Sequence, residues 1–214
     1  MLTLHHSPGA CSGAAHLALE ETGLAFEIAR VALADGQQRT ADYLRMNPKG
    51  RVPVLVDGDY VLTETAAILR YVARLAPAAK LWPDDPREDG RCAEWLAWIA
   101  SGIHVSYAHI RRPERYADSE AAKAEIVEKG RVTTRAVWQQ VEDKIAAQGT
   151  PWAAGQAFSV ADLYLFVFWT WGKGAVLDYA MEGDFPHWTA HARRVAARPA
   201  VQRVQARDGF PMPA

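Results

Sequence analysis

The chain has 214 residues, half of them apolar, with 24 Lys and Arg against 25 Asp and Glu. That length allows one or two domains with a sizeable core. A net charge of −1 gives no electrostatic grounds for binding nucleic acid or an anionic membrane. The two cysteines, Cys11 and Cys92, lie far apart, which argues against a disulfide framework and for a reducing, cytoplasmic compartment. Met1–Leu2–Thr3–Leu4 lacks the basic and apolar regions of a signal peptide.

Taken in chain order, Met1–His6 predicts a strand. Ser12–Thr22 predicts a helix rich in Ala and Leu, stopped by Gly23, and Phe26–Val31 predicts a second strand. Ala41–Met46 is a short helical piece, and Pro48 and Gly50 mark a turn. Pro53 fits only the first position of a strand or an edge, so Val54–Val56 reads as a strand that begins just after it. Asp57–Gly58 is a hairpin signal, with Tyr60–Leu62 as the return strand. Thr63 is a candidate N-cap for a helix reaching Leu75, with Glu64 in its first turn. The order βαβ–α–ββα suits a thioredoxin-like fold, a mixed sheet with helices on both faces.

A proline-rich stretch, Pro77–Pro86, follows, and beyond it every long segment is helical: Arg91–His109, Ser119–Ala147, Ser159–Ala175, Phe185–Ala197 and Pro199–Ala206. The expected division is an α/β domain over residues 1–78, a linker over 79–87 and an all-helical domain over 88–214. Leu163–Trp169 is too short to span a bilayer and reads as a helix buried on all sides. In Ser159–Val160–Ala161–Asp162, serine and aspartate stand where a capping box needs them, a structural role for Asp162.

Few residues carry chemistry. Cys11 follows a strand and a Pro–Gly turn at the start of a helix, where the dipole lowers the pKa of a partly exposed thiol; the competing reading is a small buried cysteine packed on the sheet. Val52–Pro53 beside Glu64–Thr65 places a free backbone edge next to a helix N-terminus, a corner suited to a small peptide-like anion. His5, His6 and His16 have no metal-ligand spacing, and no metal site is expected. Arg111, Arg112 and Arg115 form a small basic stretch that reads as solvated, with binding of an anionic substrate as the competing reading. The tryptophans read mainly as core, with Trp98, Trp169 and Trp171 as possible pocket walls.

Two stretches resemble the glutathione S-transferase family: Val52–Pro53 with Glu64–Thr65, and Ser7–Pro8–Gly9–Ala10–Cys11–Ser12, which is similar to the signature of its bacterial beta class. Ser159–Asp162 extends the resemblance over nearly the whole chain. The resemblance implies glutathione as co-substrate. Val52 and a cis Pro53 would meet its cysteinyl unit through backbone, Glu64 its γ-glutamyl ammonium and Thr65 its α-carboxylate. Arg39 or a neighbouring glutamine, Gln37 or Gln38, would take the glycyl carboxylate. Cys11, Ser12 or Ser7 would stand by the thiolate, and His104 would face the cleft. Where the beta class has Asn and Lys, this chain has Ala97 and Val105, which implies a reshaped, more apolar electrophile pocket. The implied activity is thiolate attack on a small apolar electrophile, with thiol–disulfide exchange through Cys11 as a further reaction, in a homodimer. The alternatives are a non-catalytic interaction module and a carrier of apolar ligands.

Overall fold

The computed structural model describes residues 1–214. Four strands, β1 (Leu2–His6), β2 (Phe26–Arg30), β3 (Val54–Asp57) and β4 (Tyr60–Thr63), form one sheet in the order β2-β1-β3-β4. β1 runs parallel to β2, with Leu2 opposite Phe26, and antiparallel to β3, with Leu4 opposite Leu55. The Asp57–Gly58 turn closes β3 onto β4, with Val54 opposite Thr63. Helices α1 (Gly13–Thr22) and α3 (Thr65–Leu75) pack together, and α2 (Ala41–Met46) serves a separate cluster. Neighbouring strand residues face opposite ways. Leu55 accordingly joins the main core, while Val54 joins Val31, Tyr43 and Val52 in the smaller one.

The rest of the chain is helical: α4 (Pro86–Trp98), α5 (His104–Arg111), α6 (Glu120–Ala147), α7 (Val160–Lys173), α8 (Met181–Asp184), α9 (Pro186–Ala196) and α10 (Pro199–Asp208). The capping box forms at α7: Asp162 Oδ2 accepts from the Ser159 amide at 2.7 Å, and the Ser159 hydroxyl accepts from Ala161 N–H at 3.3 Å. Asp162 Oδ1 also accepts from Ala153 N–H and His191 Nε2, both at 2.7 Å. Nearly every residue of α7 is buried, as its unbroken apolar run requires. α7 packs on both α1 and α3, so the helical half closes over one face of the sheet.

Three sequence expectations need correction, and the hydroxyl of Ser12 adds a local feature. Pro86 and Arg87, assigned to the linker, form the first turn of α4, because Asp85 caps it by accepting from Arg87 N–H and Glu88 N–H at 2.9 and 3.1 Å. The expected helix Arg91–His109 is interrupted by a π-helical turn at Ile99–Ile103. The Ser12 hydroxyl does not cap α1, since it is occupied by Ser7 and His6. Thr63 is not the cap of α3: it ends β4, and Glu64 occupies the cap position with φ 74° and ψ 119°. Such a conformation is uncommon for a residue with a Cβ, and it is held only where the surroundings impose it.

Candidate active site

The site lies where the loop after β1, the segment before β3 and the start of α3 meet the helical half. The β1 loop is pinned from behind. Ser12 Oγ accepts from Ser7 N–H at 3.2 Å and is hydrogen bonded with His6 Nδ1 at 2.8 Å. His6 Nε2 and His16 Nδ1 both donate to Asp208 Oδ2 at 2.9 Å, at the end of α10. Burial alone would raise the Asp208 carboxyl, but hydrogen bonds from His16 and His6 hold it well below the usual carboxylate range. His6, His16 and Asp208 are the residues whose ligand atoms lie close enough, within 4.8 Å, to share a metal ion; here those atoms satisfy one another.

The opposite wall is built from the turn Asn47–Gly50. The Arg51 carbonyl accepts from the Tyr43 hydroxyl at 2.9 Å and from Asn47 Nδ2 at 2.7 Å. Gly50 has φ +60°, and a Cβ there would come 3.2 Å from the Gln38 carbonyl, so glycine suits both the turn and the close approach. The Val52–Pro53 peptide is cis. Cys11 Sγ donates to the Val52 carbonyl at 3.5 Å, which brings Cys11 onto this edge. Lys49 Nζ donates to Thr63 Oγ1 at 2.6 Å and to Glu64 Oε1 at 2.5 Å, so Lys49 holds Glu64 at the mouth of α3. The first turn-closing bond of α3 runs from Ile68 N–H to the Glu64 carbonyl, which leaves the earlier amides of the helix start to act on an anion.

The structure thus brings Cys11, Val52, Pro53, Glu64 and Thr65 together, and His104 joins them from α5. It does not bring Ser12, which is fully buried in the network behind the loop. Arg39 is exposed at the end of the 3₁₀ turn Gln37–Arg39, while Gln37 and Gln38 bond the backbone of Ala32 and Leu33. Of the expected pocket walls, Trp169 is core and donates to Thr189 Oγ1, and Trp98 packs on Trp95. Trp171 reaches the site: its Nε1 donates to the Gly9 carbonyl at 2.9 Å, beside the Cys11 loop.

The electrostatics correct the expectation of a low Cys11 pKa. The thiol is buried, and burial pushes it up to about 11; hydrogen bonding from Thr65 and the amides of Cys11 and Ser12 offsets only part of this. His104 is pushed down to about 4, by burial first and then by the charges of Arg115 and Arg51, so it is a neutral imidazole at pH 7. It packs on Phe168 and Trp171, at ring-centroid distances of 5.5 and 5.2 Å.

Sequence reasoning missed three contributors. Lys49 sits in the recognised turn, but its reach to Glu64 depends on the fold. Arg51 precedes Val52 and carried no pattern of its own. Tyr164 was hidden in the apolar run of α7; its phenol neighbours Thr65, Cys11 and Glu64, and burial raises its pKa.

Both halves of the chain match known family models: the N-terminal domain of glutathione S-transferase over residues 1–74 and its C-terminal domain over 99–199. The chain is 33% identical to glutathione S-transferase GstA of Escherichia coli O157:H7, over 98% of its own length and 100% of the relative's. Among solved structures it resembles a glutathione transferase homologue from sulfitobacter with bound glutathione, at TM-score 0.88 and 37% identity, covering 97% of this chain and 98% of the other. It also resembles the bacterial beta class glutathione S-transferase of Sphingomonas chungbukensis, at TM-score 0.80 and 34% identity, with coverage of 97% and 98%.

Proposed function

We propose, for a chain that belongs to the glutathione S-transferase family, that it binds glutathione along residues 1–78 and conjugates its thiolate to an electrophile held against the helical domain, residues 88–214. The observation that carries this reading is the convergence of the cis Val52–Pro53 edge, Glu64 at the strained start of α3, and Cys11 hydrogen bonded to the same edge. The backbone of Val52 would pair with the cysteinyl unit. Glu64 would take the γ-glutamyl ammonium, displacing Lys49, and Thr65 would hold the α-carboxylate at the positive end of α3. Arg39 would take the glycyl carboxylate.

The thiolate forms a bond to an electrophilic carbon, the leaving group departs with its bonding pair, and the thiol proton passes to solvent. Holding both reactants together removes much of the entropic barrier. Amides of the Cys11 loop and the Thr65 hydroxyl, which hydrogen bond the Cys11 thiol in the free site, would serve as donors to the thiolate. Cys11 is a protonated donor in the free site, which favours conjugation as the main reaction over disulfide exchange. The working form in this reading is a cytoplasmic homodimer. No helix is long and apolar enough to cross a membrane.

Calorimetric titration with glutathione tests the reading. Saturable binding is expected, weakened at least about tenfold in Glu64→Ala, since a charge-assisted contact is worth roughly 1.5–3 kcal/mol. No binding at millimolar glutathione would leave the fold without its co-substrate and return the interaction-module reading to first place.

A further inference from the structure

Ala97 and Val105 imply a reshaped, more apolar electrophile pocket, and the residues around it add two further features. One wall is aromatic: Trp171 lies 4.4 Å from Tyr107, 4.5 Å from Phe168 and 5.2 Å from His104, centroid to centroid, with the rings inclined to one another by 33°, 57° and 72°. The rim is cationic, and its charge comes from both halves of the chain. Arg51 leads into the Val52–Pro53 edge, Arg112 caps the end of α5, and Arg115 ends the 3₁₀ turn after it. None of the three takes part in an ion pair. Of the carboxylates nearby, Glu64 is held by Lys49, and Glu114 lies on Arg115's own turn. Burial, then Arg51, then Arg112 lower the Arg115 pKa, with Tyr116 and Glu114 opposing them, and burial first, then Arg115 and Arg51, hold down His104. Like charges gathered at a cleft cost the free protein energy that a bound anion returns. A guanidinium fork fits a planar oxyanion in two-point contact.

We propose that the electrophile conjugated at this site is an anion: a flat, aromatic or conjugated body carrying a carboxylate or similar oxyanion, with the body on the Tyr107–His104–Trp171 wall and the anion on Arg115 with Arg51 and Arg112. The inference rests on the glutathione-transferase reading of the site. A neutral His104 suits this arrangement, because it adds a polar, uncharged edge to the aromatic wall and leaves the positive charge to the rim.

The test uses binding of finished conjugates, so it does not depend on which leaving group the enzyme prefers. S-(4-carboxy-2-nitrophenyl)glutathione and its 4-carboxamide differ only in the charge at the far end of the ring. Calorimetry on the full chain is expected to show the carboxylate binding about tenfold tighter than the carboxamide or better, a charge-assisted contact at a partly screened site. That ratio is expected to shrink with added salt and to fall toward one in Arg115→Gln, with a smaller fall in Arg51→Gln. Equal affinity for the two conjugates overturns the proposal. So does a ratio that persists in both variants, as it would if these arginines held glutathione's own carboxylates and weakened every ligand alike. Glutathione itself is titrated on the same samples. If it fails to bind, the transferase reading falls with the proposal, whereas glutathione binding with a ratio of one overturns only the anionic electrophile.

Discussion

Cys11 and His104 are both driven to their uncharged forms, by the same burial acting on opposite charge types. The sign of the pH dependence therefore differs between them. The thiol's folded value of about 11 lies above its ordinary 9.0. Its contribution to stability is intact below pH 9 and is lost as pH climbs from 9 through 11. The His104 value of about 4 lies below its ordinary 6.5, so its contribution is intact above pH 6.5 and is lost as pH falls toward 4. At pH 7, native Cys11 is expected to react with iodoacetamide at least about tenfold more slowly than an unstructured thiol, because the thiolate fraction falls tenfold per pH unit. The rate is expected to keep rising about tenfold per pH unit past pH 9, where an ordinary thiol levels off, as read by mass spectrometry. A conjugation profile over pH 6–8 should show no inflection that disappears in His104→Ala. Rapid alkylation at pH 7 would mean that the loop opens to solvent.

At the scale of elements, α7 shows most clearly how a start signal becomes an anchor. Asp162 is fully buried and accepts from the Ser159 amide and hydroxyl, the Ala153 amide and the His191 ring. Asp162→Ala is expected to cost roughly 3–5 kcal/mol, because those donors would remain buried without a partner. Asp162→Asn should cost less, since one oxygen stays. Urea melts of the two variants check the order, and a cost near zero for alanine would show that water takes over the acceptor role. The capping box was legible because its spacing is local. So were the Asp57–Gly58 hairpin and the Val52–Pro53 edge, where turn chemistry leaves few alternatives. The π turn at Ile99–Ile103 was not, because one added residue looks like ordinary scatter in a 3.6 period. Nor was the one-residue shift that makes Glu64 rather than Thr63 the cap: local preference favours threonine, and a positive φ is imposed by the fold. Arg112 and Arg115 were legible as a basic stretch, but Arg51 was not linked to them, because it lies in a distant part of the chain.

Over the whole molecule, the two halves share one core: Leu4, Leu17 and Ile68 belong to the same buried cluster as Phe166, Trp169 and Trp188. Polar ties cross the same boundary. Arg198 binds Glu21 through two nitrogens at 2.6 and 2.8 Å, and Trp171 donates to the Gly9 carbonyl. Two halves joined this way should unfold as one cooperative unit. The eight tryptophans all lie beyond residue 81, so their fluorescence reports the helical half, whereas Cys11 reactivity reports the first. Both probes are expected to give the same urea midpoint; earlier exposure of Cys11 would show the first half melting alone.

The buried cluster of Asp208, His6 and His16 also bears on synthesis. His16 and its carboxylate partner are 192 positions apart, and His6 is 202 away. A ribosome delivers the N-terminus first, so both imidazoles wait for a partner that is translated near the end. Until it arrives, the loop that presents Cys11 has no fixed backing. A chain stopped before Asp208 carries nearly every residue of the site but lacks the carboxylate that ties His6 and His16 together behind the Cys11 loop.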